Sequence, residues 1–218
     1  SNEVSDVIVQ YCGAGLMFNS GPANVHNSII CNGNSMGINI NSTTIQGVNI
    51  ESVVVLNMGD AVFIYTNGSY NISNCYFFGN NYAIRPYYST GTISNNAFEE
   101  NRIDIHQYGV SVPTVITYND FFYSRSLGVL PRGGATINHN NFYRTGRFFI
   151  SLRAPGSPPD YSCVSADVDG TNNYWGVDDI DPYLDDAHNT WDYPDEPCGY
   201  YVIYNPRTWQ TITGAGIQ

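Results

Sequence analysis

One short segment recurs along this 218-residue chain, and nothing else in it limits the fold so tightly. Ile72 to Phe77 reads ISNCYF, Ile93 to Phe98 ISNNAF, Ile116 to Phe121 ITYNDF and Ile137 to Phe142 INHNNF. Less regular copies are Val4 to Val9, Val25 to Ile30 and Ile50 to Val55. The steps between starts are 21, 25, 22, 21, 23 and 21 residues. A second apolar stretch follows each copy about 12 residues on, a period within the range of solenoid repeats. These stretches are Ile38–Ile40, Val62–Tyr65, Ala83–Arg85, Ile103–Ile105, Gly128–Leu130 and Phe148–Leu152. Strands that return in the same sense at this interval cannot pair as hairpins. They stack in parallel, one coil on the next, about 4.8 Å apart.

Within a copy the pattern is apolar, polar, Asn, Asn, any residue, aromatic. The first and last positions point inward and the Asn pair turns the corner. Stacked Asn side chains can hydrogen-bond along such a column. Phe77, Phe98, Phe121 and Phe142 are expected to form an internal aromatic stack. His139 falls on an Asn position and reads as an inward core histidine. A leucine-rich repeat lacks support, because the L-x-x-L-x-L spacing is missing. A β-sandwich would need hairpin turns every 8–12 residues or so. The expected fold is all-β, a parallel β-helix of about seven to eight coils over residues 1–176. An irregular acidic and aromatic cap, 177–218, belongs to the same domain.

Charged residues are only 12% of the chain, so its polar surface must come from Asn, Ser, Thr and Tyr. A hydrophobic content of 42% argues against disorder. The net charge is −11, and the eight basic residues are all Arg. Nucleic acid and anionic membrane are therefore poor partners, since phosphate binding needs a basic footprint. No apolar run is long enough to span a bilayer as a transmembrane segment. The sequons at Asn41, Asn67 and Asn71 fit a secreted or cell-surface protein. The chain opens on a strand-like segment, which suggests a mature fragment of something longer. Five Cys without a CxxC pair give no zinc or redox signature.

Coil alignment brings distant residues side by side. With Phe63, Ile84, Ile105, Val129 and Ile150 inward, the next residues point out: Ile64, Arg85, His106, Leu130 and Ser151. Two further along lie Thr66, Tyr87, Tyr108, Arg132 and Arg153. The position before the inward one holds Asp104 in the middle coil. Arg85, Tyr87, Asp104, His106, Tyr108, Arg132 and Arg153 are thus expected on one face. Tyr rings stack on sugars, and the Arg fork pairs with carboxylates. Arg102 and Arg125 form a second candidate column at the turn. This mixture points to an acidic, uronate-containing polysaccharide. If the face is catalytic, His106 or Arg85 would be the base of a lyase. Asp104 has no aligned acidic partner, so a glycosidase is less well supported. The bland alternative is that these Arg pair with surface carboxylates and the Tyr only cover the sheet.

Outward positions Ile8, Ile29 and Val54, with Leu56 nearby, form an apolar strip. It reads as an interface with an upstream segment or a second copy, or as a sign that the register is one residue off. An adhesive or structural module of a cell envelope is therefore the alternative function.

Thr171 to Gly176 reads TNNYWG, followed by the acidic stretch Asp178–Glu196 and by GYYVIYNP from Gly199 to Pro206. This series resembles the C-terminal motif of right-handed β-helix repeat proteins of the N-N-Y-W-G type, related to disaggregatases and pectate-lyase-like proteins. The resemblance implies a right-handed coil and does not choose an activity, because the family spans lyases, hydrolases, adhesins and scaffolds. In the acidic stretch, Asp178, Asp179 and Asp181 are candidate calcium ligands. A solvated, charged cap is the preferred reading, since no EF-hand spacing is present.

Overall fold

The computed structural model describes residues 2–108, 113–131, 134–143, 148–151, 167–176, 190–191, 202–203 and 212–217. Among them there are strands and turns and no helix, and hence no helix able to cross a membrane. Three parallel sheets form a β-solenoid. Sheet A has nine strands, beginning with Asn2–Ser5, Ala23–His26 and Gly47–Glu51. Sheet B has seven, including Tyr76–Phe78, Ala97–Glu99 and Asp120–Phe122. Sheet C has eight, including Asp60–Tyr65, Tyr82–Tyr87, Ile103–His106 and Leu127–Leu130.

The repeat sets the register. Val4, Val25, Ile50, Ile72, Ile93, Ile116 and Ile137 are successive partners in sheet A. The chain makes about six turns, slightly fewer than the repeat led us to expect. Each hexapeptide leaves sheet A, turns one corner and enters sheet B.

The two corner residues divide the work. The first adopts a left-handed backbone: Asn27, Ser52, Asn74, Asn95, Tyr118, His139 and Asn172 all have φ between 49° and 57°. Asn tolerates this region better than most side chains, which explains its prevalence there. His139 accordingly does not point into the core. It is half-buried at the corner and stacks on Tyr118, with ring centroids 5.4 Å apart.

The second corner residue points inward. Asn96, Asn119, Asn140 and Asn173 are fully buried and joined in a ladder. Each Nδ2 donates to Oδ1 of the next at 3.0–3.1 Å. Each Oδ1 also accepts the backbone N–H of the coil before, from Cys75, Asn96, Asn119 and Asn140. Burial drives the Cys75 thiol at the head of this column up to about 12. The ladder satisfies backbone groups that the tight corner would otherwise leave unpaired. A shorter ladder stands at the next corner, where Asn80 Nδ2 donates to Asn101 Oδ1.

Apolar columns fill the space between corners. Phe77, Phe98, Phe121 and Phe142 stack at 5.2, 4.9 and 4.6 Å. Trp175 of the NNYWG segment continues the stack at 5.0 Å. That motif is thus one more coil corner, with Asn173 and Trp175 the last described members of the ladder and the stack. Tyr70 lies over Gly91 and bonds Thr114 two coils away. A Cβ at Gly91 would fall 2.4 Å from the Tyr70 ring, so no larger residue fits beneath it. Cys12, Cys31 and Cys75 are free thiols, while Cys163 and Cys198 lie outside the described residues.

Replacing Asn119 by Ala removes a side chain that makes five hydrogen bonds. Stranding several buried groups costs about 1–3 kcal/mol each, so a total of about 3–5 kcal/mol is expected. Asn71→Ala on the exposed face of sheet A should cost less than about 0.5 kcal/mol. Urea unfolding of both variants checks this.

Candidate functional site

Sheet C carries the candidate face. Its inward column is Ile38, Val62, Ile84, Ile105, Val129 and Ile150, all fully buried. Four of the five expected inward positions hold; in the earlier coil the register differs by one. Phe63 points out, beside Arg85, and Ile64 points in. Ala61 to Ile64 is an unbroken apolar run, so alternation could not be read there. Consequently Tyr65, not Thr66, sits beside Tyr87. Thr66 is buried and its hydroxyl donates to the Ile45 carbonyl.

Arg85, Tyr87, His106 and Tyr108 come together as the sequence suggests. Tyr87 and Tyr108 lie face to face, with centroids 4.4 Å apart and planes within 1°. Tyr65 meets Tyr87 at 6.4 Å and Tyr88 at 6.1 Å, both edge-on. Tyr88 is half exposed. The rings form a platform at the C-terminal edge of the sheet.

Arg85 is held, and this was not legible in the sequence. Asp60 forms an ion pair with it from the neighbouring coil. The guanidinium also lies 4.8 Å from the Tyr82 ring centroid and 5.3 Å from that of Phe63. Burial raises the Asp60 carboxyl from its ordinary value, and the Arg85 charge opposes the rise. A guanidinium offers N–H donors and no acceptor, and this one is engaged by Asp60, so Arg85 reads as a donor rather than a base. His106 is buried, tilted against Tyr108 at 4.0 Å and Tyr82 at 5.6 Å.

Asp104 is not on the outer face. It occupies a position that is small in the three coils before it and the one after it (Gly37, Ala61, Ala83 and Gly128). Its carboxyl is fully buried and accepts from Asn101 Nδ2 at 2.9 Å and from the Ser124 hydroxyl. It thereby continues the second Asn ladder, and burial pushes it up to about 8 against the pull of those two donors. This corrects the expectation that Asp104 faces substrate: alternation breaks between residues 82 and 84, and the side chain turns inward.

Arg102 and Arg125 occupy equivalent corner positions in successive coils, since their N–H groups donate to Asn80 and Asn101 carbonyls respectively. They line an open groove of about 530 Å³ at the N-terminal edge of sheet C. Arg132, Arg153, Asp178, Asp179 and Asp181 lie outside the described residues. Among those described, no cluster of His, Cys, Asp or Glu is arranged to hold a metal.

The apolar strip is also in register. Ile8, Ile29 and Val54 are successive partners on the outer face of sheet B, with Ile8 66% and Ile29 37% exposed. The strip therefore does not come from a misplaced register. It runs on through Tyr76 and Phe78, both half-buried.

No family model, curated protein or solved structure matches this chain. The parallel β-solenoid stands on its own geometry, and membership of the N-N-Y-W-G or pectate-lyase-like family receives no support from these comparisons.

Asp104 generates a pH test. Its folded-state value, about 8, lies above its ordinary value of 3.8. The unfolded chain thus loses the proton first as pH rises. Stability should fall from about pH 4 to about pH 8, by at most about 1.4 kcal/mol per pH unit from this group, then level off. Asp104→Asn keeps the acceptor for Asn101, reverses the Ser124 contact so that the new amide donates to the hydroxyl oxygen, and should flatten that slope. Urea midpoints for both proteins across this range provide the check.

Proposed function

We propose that the outer face of sheet C binds a glycan, and that the chain is a polysaccharide-interacting module of a secreted or cell-surface protein. The observation that carries this reading is the stacked Tyr87–Tyr108 pair, its planes parallel within 1° and flanked by Tyr65 and Tyr88. The two rings cover one another's faces, so what the pair offers a sugar is a rigid row of ring edges, with hydroxyls for hydrogen bonding, at low entropic cost. Arg85, its charge balanced by Asp60, adds a fixed N–H donor group to the face.

Binding is favoured over cleavage. Asp104 is sealed inside, Arg85 is ion-paired, and His106 is 3% exposed beneath its aromatic neighbours. If the face does cleave a uronate polymer, the lyase route remains better suited than hydrolysis, because Asp104 cannot reach substrate. Calcium at Asp178, Asp179 and Asp181 stays a proposal of the acidic cap alone. The relation to N-N-Y-W-G and pectate-lyase-like proteins is likewise a proposal, supported by the way Asn173 and Trp175 extend the ladder and the stack.

The second reading, an adhesive or structural module, is favoured by the strip of Ile8, Ile29, Val54 and Leu56. Exposed apolar columns of this kind suit an upstream coil or a second copy of the chain.

Affinity electrophoresis through polygalacturonate tests the first reading. The wild-type chain should be retarded, and Tyr87→Ala with Tyr108→Ala should weaken binding about tenfold, as expected for two stacking rings. Retardation unchanged by those substitutions would overturn it. Accumulation of an unsaturated uronate chromophore would show cleavage as well.

A further inference from the structure

We infer that the groove at the N-terminal edge of sheet C is a separate anion site, built by Arg102 and Arg125 for the carboxylate or sulfate of an acidic sugar. The inference deepens the glycan reading and rests on it for the polymer, though not for the anion itself.

Two cations placed side by side need an explanation in a solenoid. Arg102 and Arg125 hold the same position one coil apart, about 4.8 Å along the stack. Their like charges repel. The one other Arg among the described residues is neutralised, Arg85 being paired with Asp60. Among the described residues, neither Arg102 nor Arg125 belongs to an ion pair. Two of the nearby carboxylates are engaged elsewhere. Glu99 accepts from the Tyr76 hydroxyl on sheet B, and Asp104 is buried with Asn101 and Ser124. Neither Glu99 nor the exposed Glu100 forms an ion pair with Arg102 among the described residues, so the pairing with surface carboxylates is not seen there.

Both guanidiniums are nonetheless oriented. Arg102 donates to Asn81 Oδ1 at 3.3 Å, and Arg125 donates to the Gly79 and Asn80 carbonyls at 3.3 Å each. These acceptors are neutral, so the charge is not cancelled. A guanidinium carries five N–H donors, and these bonds leave several of them facing the groove. The groove is open and about 530 Å³ in volume, with Asn34, Asn57, Asn81 and Gly59 beside the two Arg. A planar anion seated there would accept from both forks and relieve their repulsion. The tyrosine platform lies at the other end of the same strands, six residues along from Arg102 to Tyr108, or about 20 Å in extended chain. A polymer crossing sheet C along the strands would meet the rings at one edge and the charges at the other.

The test uses the whole chain, oligogalacturonate and its neutral methyl ester. Arg102→Gln with Arg125→Gln should weaken binding of the acidic oligomer about tenfold and leave the ester unchanged. Tyr87→Ala should weaken both. An Arg variant that binds the acid like wild type, or that loses both oligomers equally, overturns the anion site. If wild type binds neither oligomer, the glycan reading fails and the groove is judged with sodium sulfate alone. Side-chain N–H resonances of Arg102 and Arg125 that shift with sulfate and saturate would uphold it. Resonances that do not move, or drift linearly as for an adventitious ion only, would overturn it.

Discussion

The buried amide ladder from Asn96 to Asn173 is the contact on which the rest of the structure depends. A solenoid must turn sharply between sheets, and each turn strands backbone N–H groups in an apolar interior. Each ladder Asn answers that problem twice, accepting the N–H of the coil below and donating to the amide above. A slip of one residue would leave every one of these groups unpaired at once, at about 1–3 kcal/mol each. Register is therefore specified at the corners, more sharply than by apolar packing, which tolerates exchange of similar side chains.

Everything outside the barrel of side chains inherits that register. The coils deliver Tyr65, Tyr87 and Tyr108 to one edge of sheet C though they are separated by 22 and 21 residues in the chain. The same register sets Arg102 above Arg125 at the opposite edge and aligns Ile8, Ile29 and Val54 on sheet B. Function in such a fold is a matter of which columns carry which chemistry, because the backbone presents every column alike. The core is insensitive to what its outer columns hold, which leaves the surface free to vary.

Much of this was legible in the sequence, for a specific reason. Where apolar and polar residues alternate around an Asn pair, as in ISNCYF and INHNNF, the inward and outward positions follow directly. Every sheet A partner of Ile72 was readable in this way, and so was the Phe stack. Legibility failed where alternation failed. Ala61 to Ile64 contains no polar marker, so Phe63 and Tyr65 were placed one residue out. Asp104 looked like a surface acid because carboxylates seldom sit inside, and only the Asn101 and Ser124 donors make its burial tolerable. His139 looked inward because it replaces Asn, yet the Asn pair has two roles, and His139 takes the left-handed corner. The Asp60–Arg85 pair joins side chains three positions apart along neighbouring strands, a diagonal that column alignment does not predict.

Amide hydrogen exchange with and without oligogalacturonate tests the central claim, that sheet C is the working face, most directly. The account expects added protection over 60–66, 82–88 and 103–108, with sheets A and B unchanged. Protection confined to sheet B, over 8–10, 29–31 and 54–56, would contradict it and assign the working surface to the apolar strip instead.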